Sequence, residues 1–497
     1  MTDHTEFDVA VVGGGAAGCV VAARLSEDKA RSVVLLEAGP DLRADPPDLI
    51  RDAFHMTRDW DWGFISEPDA FGNTLDLRRV KMLGGTSQIT RFALRGSPAD
   101  YDEWEALGNA GWGWNDVLPY FKRLEMDLDF ADQPWHGDSG PIPVSRYYHL
   151  DRTDIHAAAL RALEAVGFPP VDDQNRPGAV GVGPMPMSSR HGVRETTASA
   201  YLPVDRTPSN LAIRPDSQVA DIVFDGLRAT GVRLLDGTMI GAGQVVLCAG
   251  TYGSPTILMR SGIGSAEHLR EVGIAVRLDL PGVGANLADH PQTAVDSGYR
   301  GAARTTPVLH SAATFHSRDA STDAPPDLMF WVADPGPPDN PPQFEIEVVL
   351  LKPRSRGTVR LRSADPADPP RITLPHLEDP SDLERLAKGY RRAWEVASRP
   401  EIRRLCPEPL SPGMDDDELP NAIRQTAYSI PHVVGTCAMG PSPDDGAVVD
   451  GLGRVHGTEG LFVVDASIMP TVPSGFTHLP TIMIAERLSE QITGLGR

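Results

Sequence analysis

An apolar run from Phe7 to Val12 passes directly into Gly13, Gly15 and Gly18, and an acidic residue, Glu37, closes the next apolar run, Ser32 to Leu36. Strand, glycine turn, helix, strand and acid in that order make a nucleotide-binding βαβ unit. Gly13 permits the tight turn, Gly15 lets backbone approach a pyrophosphate, and Gly18 lets the helix lie close on the strand. Ala16 and Ala17 open that helix, whose N-terminal amides face phosphate oxygens, and Ala22, Ala23 and Leu25 turn inward. Glu37 is placed to accept hydrogen bonds from ribose hydroxyls, and its charge repels a 2′-phosphate. The unit predicts FAD or NAD rather than NADP.

A chain of 497 residues exceeds one ordinary core, so two domains or a large multi-layer α/β body are expected. A formal net charge of -22 argues against binding to nucleic acid, which needs clustered Lys and Arg, and against anionic membranes. Cys19, Cys248, Cys406 and Cys437 lie far apart, which suits buried thiols better than a zinc site or a disulfide framework; no metal is expected. The first strand begins at Phe7, leaving no room for a signal peptide, and no apolar run approaches the ~18 residues of a membrane span. A soluble, cytoplasmic protein without an integral membrane segment is the expectation.

Further motifs follow the first unit. Lys81 to Thr90, KMLGGTSQIT, places Gly84, Gly85, Thr86 and Ser87 where backbone amides and hydroxyls can wrap a phosphate or a ring edge; a plain surface turn is the alternative. A helix, a glycine-rich turn and a second helix come next, with Asn115 as the expected cap of the second. Val245 to Cys248 reads as a buried strand entering AGTYGSPTILMRSGIG, and LPGVGANLADHP is a glycine-rich loop carrying Asn286, Asp289 and His290. DLMFWVAD, FEIEVVLLKP and GTVRLRSAD alternate as strands and suggest an antiparallel sheet, followed by a helix with Leu383, Leu386, Tyr390 and Trp394 at helical spacing. The Pro335 to Pro342 loop and the acidic run Asp415 to Glu418 read as exposed surface.

Taken together, these segments resemble the glucose-methanol-choline oxidoreductases, flavoproteins that oxidise alcohols. Gly250 to Gly264 fits that family's second signature, and DASIMPTVPSGFTHLPTIMIAE resembles its flavin-contacting C-terminal segment; in the first signature Thr90 stands where the family usually has Asn. The resemblance implies an α/β fold: a Rossmann-type FAD-binding domain, discontinuous over 1–150, 190–300 and 430–497, plus a substrate domain over 151–189 and 301–429. In the substrate domain an antiparallel β-sheet is flanked by helices and roofs the flavin. It implies non-covalent FAD, because covalent members use a histidine in the first-signature loop and this loop has none; Ile89 stands near that place. By the same resemblance Val219 holds the adenine, Asp465 and Ala466 flank the ribityl chain and pyrophosphate, and Thr477 and His478 contact the cofactor.

Alcohol oxidation by flavin sends a hydride to N5 and the hydroxyl proton to a base, a role that suits histidine. His432, in SIPHVVGTCAMG, occupies the position of the family's active-site histidine. The family's second catalytic residue falls on Phe476, with His478 two positions on. Two arrangements are open: a re-threaded loop that pairs His478 with His432 in catalysis, or a His478 that holds the flavin while Phe476 makes the substrate pocket apolar. Arg91 follows the GGTSQIT loop as a pocket cation able to stabilise reduced flavin or a substrate carboxylate, with a solvated or salt-bridged arginine as the plainer state. His290 reads as a loop anchor rather than a catalyst. The expected activity is oxidation of a small-molecule alcohol to an aldehyde or ketone, with oxygen or a quinone or carrier as acceptor. The rival is a lyase of the hydroxynitrile-lyase kind that keeps FAD as scaffold. The chain is shorter than many family members, which predicts an open entrance and tolerance of bulky or aromatic alcohols.

Overall fold

Val9 to Val12 and Val33 to Leu36 are apolar on both faces because each is covered on both sides, as parallel strands at the centre of an α/β sheet must be. In the computed structural model, which describes residues 6–54, 57–303, 308–318, 324–335, 342–413 and 417–494, Glu6–Val12 is central to a seven-stranded sheet. Residues 336–341 of the Pro-rich loop and 415–416 of the acidic run lie outside the described residues. The strand order is Leu211–Arg214, Val33–Leu36, Glu6–Val12, Met239–Leu247, Arg228–Leu234 and Val219–Asp225, with Leu461–Val463 added beside Met239–Leu247. Glu6–Val12 is parallel to both its neighbours, with Val12 opposite Leu36 and Leu247, so the ends of three strands open on one crevice. Such a crevice at the carboxyl ends of parallel strands is where ligands bind in α/β folds.

The first helix, Ala16–Leu25, leaves that crevice and buries Val20, Val21 and Leu25. It packs on the C-terminal helix His478–Gly494 through a buried carboxylate. Arg24 Nε and Nη2 donate to the two oxygens of Glu486 at 2.8 and 2.7 Å, and the Tyr201 hydroxyl adds a bond of 2.8 Å. The fully buried Glu486 is thus matched donor for donor.

The second sheet has six strands, all antiparallel: Tyr428–Val434, Ala288–Gly298, Gln343–Leu350, Leu328–Ala333, His310–Phe315 and Gly181–Pro184. Along Gln343–Leu350 the two-residue period sends Phe344, Ile346, Val348 and Leu350 to one face, where they pack with Ile155 and Ala159 of helix Asp154–Ala165 and Leu386 and Tyr390 of helix Pro380–Ala397. Val349 faces the other way and joins Phe92, Met329, Ile430 and Phe476. The antiparallel sheet with helices on one side, and the Rossmann-type unit beside it, are as expected from the sequence.

Three local expectations are corrected. Ala288–Gly298, numbered above with the nucleotide unit, is a member of the six-stranded sheet, because Gln292 to Gly298 register against Val349 to Gln343; Tyr428–Val434 joins it on the other flank. Thr358–Arg360 leaves the main sheet to pair with Arg371–Thr373. Gly113, not Asn115, caps helix Trp114–Leu124, because Asp102 takes the Trp114 amide at 2.8 Å and starts the turn earlier. All four cysteines are buried and free. Among the described residues no helix is long and apolar enough to cross a membrane.

Candidate active site

A cavity of about 800 Å³ runs from the first glycine turn to the underside of the six-stranded sheet. At its nucleotide end the wall is built by Gly13, Gly15, Ala16 and Ala17, with Glu37 behind them; Gly85, Thr86 and Ser87 form the opposite lip. Val219 closes one side, and Asp465 and Ala466 lie deeper in. Gly18 and Gly84 act from behind. A Cβ on Gly18 would stand 1.8 Å from the Gly13 carbonyl oxygen, so only glycine lets the helix approach the turn this closely. The Gly84 amide donates to the Gly14 carbonyl at 2.7 Å and joins the two glycine loops.

This end fits a dinucleotide on its own geometry. The N-terminus of helix Ala16–Leu25 has no side-chain cap, so its first amides are free for an anion. A Cβ added at Gly15 would meet no protein atom within 4 Å, which leaves open space directly over those amides. Glu37 is more constrained than the sequence suggests: its Oε2 accepts from the Gly14 amide at 2.7 Å and its Oε1 from the Gly39 amide at 2.8 Å. Each oxygen keeps a second lone pair for a ribose hydroxyl. Burial, which outweighs these bonds, raises its pKa. Asp465 is likewise occupied, accepting from Gly250 N, Ser254 Oγ and Ser467 N at 2.9, 2.6 and 2.8 Å; it fastens the second-signature helix, Gly250–Arg260, to the crevice.

At the far end His432 lies on the strand Tyr428–Val434, its backbone amide held by Asp289 Oδ1 at 2.8 Å. Asp289 sits at a register shift in the neighbouring strand and also accepts from the Ser429 hydroxyl. His432 Nδ1 is 3.1 Å from Nδ1 of His290, and His290 Nε2 is 3.1 Å from the Pro473 carbonyl oxygen. A carbonyl only accepts, so His290 Nε2 carries a proton; its Nδ1 is then the acceptor for a proton on His432 Nδ1. His432 is left with a bare lone pair on Nε2, to which no described residue donates. Burial, with the His290 ring and Arg79, holds the His432 pKa well below its ordinary 6.5, and burial lowers that of His290 to about 4. Both rings are neutral at neutral pH, and the pair can take one proton at His432 Nε2.

The segment that supplies the Pro473 carbonyl is itself pinned. Asp100 Oδ2 accepts from the amides of Ser474 and Ser97 at 2.9 and 2.8 Å, and Lys352 Nζ reaches Asp100 Oδ1 and the Val472 carbonyl, each at 2.9 Å. Phe476 follows at once, 2 % exposed, with its ring centroid 4.6 Å from that of His432. Phe92 stands 5.3 Å from Phe476 and 4.9 Å edge-on from Trp331, so three aromatic rings wall the space beside the imidazole.

The sequence-predicted residues thus divide. His432, Phe476, Arg91, Thr477 and His478 all line the cavity, but Phe476 rather than His478 packs against His432. His478 opens the C-terminal helix, and its ring makes no hydrogen bond to a described residue; burial, with the charge of Arg194, lowers its pKa to about 4. Arg91 is half-buried on the cavity wall: Nη1 donates to the Phe54 carbonyl at 2.9 Å, its guanidinium lies 5.1 Å from the Phe92 ring, and burial lowers its pKa to about 10. His290, read from the sequence as a loop anchor, lies on a strand, holds the Pro473 carbonyl and also bonds His432, a partnership the sequence did not suggest; Glu347, Gln292 and Trp331 on the cavity roof were missed.

A separate buried cluster carries Glu125, Asp127 and His136 with ligand atoms within 4.8 Å of one another. Cations already neutralise it. Arg146 reaches Asp127 at 2.9 Å and Asp173 at 2.8 Å, His136 bridges Glu125 and Asp173 at 2.8 and 3.0 Å, and Arg95 stands 3.6 Å from Glu125.

Comparison with known proteins places the chain in a context. A family model described as GMC oxidoreductase matches residues 7–292, and a second of the same description matches 353–485. The chain is 36 % identical to a 5-(hydroxymethyl)furfural oxidase of Methylovorus sp. (strain MP688), over 99 % of both chains. It is 34 % identical to an oxygen-dependent choline dehydrogenase 1 of Chromohalobacter salexigens, over 99 % of this chain and 96 % of that one. The crystal structure of a pyridoxine 4-oxidase from Mesorbium loti superposes with a TM-score of 0.90 at 30 % identity, covering 98 % of this chain and 99 % of that one.

Proposed function

This chain belongs to the GMC oxidoreductase family, and from that premise we propose that it oxidises the carbinol of an aromatic or otherwise bulky alcohol, with FAD as non-covalent cofactor and His432 as base. Bound FAD supplies the acceptor for the two electrons of that oxidation. The chain's own residues bind, orient and deprotonate.

The observation that carries the reading is the His432 and His290 pair. Its hydrogen-bond chain ends on a carbonyl, so His432 presents an unprotonated Nε2 at the cavity wall, ready for the hydroxyl proton of a carbinol. Phe476 and Phe92 exclude water beside it, and Phe476 cannot itself accept a proton. His478 is assigned to the cofactor side, with Thr477, since it stands apart from the imidazole pair. Gly13, Gly15, Glu37, Thr86, Ser87, Val219, Asp465 and Ala466 hold the cofactor in this reading. Non-covalent attachment is supported by the first-signature loop, where Ile89 is buried and no histidine occurs between Lys81 and Thr90.

The relatives' names are those of oxidases and dehydrogenases acting on alcohols, which supports redox turnover over the lyase alternative. Oxygen or a quinone-type carrier takes the electrons onward. The test is anaerobic mixing of the purified holoprotein with benzyl alcohol and a panel of primary and secondary alcohols. Bleaching of the yellow flavin band is expected, with colour restored by oxygen or by an added quinone. A band unchanged across the whole panel overturns the proposal.

A further inference from the structure

The roof of the cavity carries two charged groups that the chemistry at His432 does not use. Glu347 lies on Gln343–Leu350, directly opposite Trp331 in register and on the face turned away from the helices. It lines the cavity, and no described residue hydrogen-bonds either of its carboxyl oxygens; Oε2 is buried without a partner. Arg91 lines the same cavity and spends only Nη1, on the Phe54 carbonyl, while its buried Nε has no acceptor. The two feel each other's charge without forming an ion pair among the described residues. A buried carboxyl oxygen without a partner is a costly arrangement in a finished fold, and its presence on a half-buried side chain beside donors to spare marks a place where a ligand completes the bonding.

We propose that Glu347 and Arg91 form the distal end of the substrate site, and that the substrate is an aromatic alcohol with a second hydroxyl across the ring, donating to Glu347 and accepting from Arg91. The inference rests on the function proposed above and adds the substrate class. The ring has its walls in Phe92, Trp331 and Phe476. A hydroxyl is the small neutral group that both donates and accepts. The charges at this end are mixed, which favours a neutral group: an ammonium drawn by Glu347 would also meet Arg91, and a carboxylate drawn by Arg91 would also meet Glu347 where that group is ionised. Burial, reinforced by Glu345 and opposed by Arg91, pushes the Glu347 carboxyl up to about 8, so it can offer a proton as well as accept one.

The experiment compares kcat/KM of the holoenzyme for benzyl alcohols with different para substituents. The hydroxymethyl compound is expected to exceed the methyl compound by at least about tenfold, beyond the statistical doubling from its equivalent ends, through a lower KM. The aminomethyl and carboxy compounds are expected to fall below it. In Glu347→Leu the ratio of hydroxymethyl to methyl collapses toward one, and in Glu347→Gln, which keeps an acceptor, most of the preference survives. A wild-type ratio near one, a ratio that Glu347→Leu leaves intact, or a preference for either charged substituent overturns the inference, and the wild-type panel decides the first and last even where a variant loses its flavin. If the methyl compound bleaches the flavin with a ratio near one, this inference alone falls; if no compound bleaches it, the function proposed above falls with it.

Discussion

His432 and His290 face each other nitrogen to nitrogen, Nδ1 to Nδ1 at 3.1 Å, with rings almost perpendicular at 89°. One hydrogen lies between them, and the Pro473 carbonyl decides whose it is: because His290 must donate there from Nε2, the shared hydrogen belongs to His432. A base with an unfixed tautomer would offer its lone pair to the substrate only part of the time. Here the tautomer is set by a main-chain oxygen, that of Pro473, on the far side of His290.

If His432 is the base, as proposed, replacing it with Ala removes the proton acceptor, and the rate of flavin reduction is expected to fall by about 10²-fold or more, the scale of a lost acid-base group. Anaerobic stopped-flow reduction with benzyl alcohol measures it directly. A loss smaller than tenfold would move the base elsewhere.

His290 is a positioning residue, and its removal should change the pH profile as well as the rate. His290→Leu removes one of the influences that lower the His432 pKa, after burial, so the acid limb of kcat/KM is expected to move to higher pH. His290→Asn keeps an acceptor for His432 Nδ1 and should recover much of the rate. A variant that lost activity with an unmoved limb would assign His290 a packing role only.

The two glycines of the first turn should fail differently. Gly15→Ala meets no protein atom, so the polypeptide folds with its ordinary melting temperature but loses affinity for flavin as the methyl enters the cavity. Gly18→Ala drives a methyl into the Gly13 carbonyl and is expected to yield little soluble protein. Flavin content per mole and thermal melting distinguish the outcomes; equal behaviour of the two would contradict the assignment.

The cluster around His136 makes stability depend on pH in a definite direction. Burial opposes charge on both partners, but the hydrogen bonds that His136 donates to Asp173 and Glu125 outweigh it and raise the His136 pKa, while His136 and Arg146 hold Asp173 well below the usual carboxylate range. The Asp173 contribution is full above its unfolded value of about 3.9 and is lost as pH falls through the depressed one; that of His136 is full below about 6.5 and is lost as pH rises through the raised one. The cluster therefore stabilises most between about pH 4 and 6.5. Melting temperature should fall on the alkaline side in the wild type, and His136→Gln should flatten that slope. Asp173→Asn, which leaves Arg146 with Asp127 and His136 with Glu125 but removes the carboxylate they share, is expected to cost about 1–3 kcal/mol.

Local grammar made half of this site readable. Gly13, Gly15, Gly18 and Glu37 fall within one βαβ unit, so their spacing alone reports the turn, the close packing and the acid. His432 was legible through its flanking motif. His290 was not, because its partner lies 142 residues away and nothing near DHP announces a strand that lies beside SIPHVV. Glu347 was hidden for a different reason. The alternation in FEIEVVL is that of any half-buried strand, and its polar face reads as solvent; only the tertiary arrangement turns that face onto an enclosed space. The same lack of long-range information hid the pairing of Ala288–Gly298 with the six-stranded sheet.

That long strand, Ala288–Gly298, lies between the ribbon that carries His432 and the ribbon that carries Glu347. On the proposed reading, reactivity and selectivity therefore occupy different threads of one fabric, sewn together by the backbone bonds of the strand between them. Exchanges along Gln343–Leu350 can re-tailor which molecules are welcomed while the imidazole pair stays as it is, and a lineage built on this scaffold can diversify its diet without reinventing its chemistry.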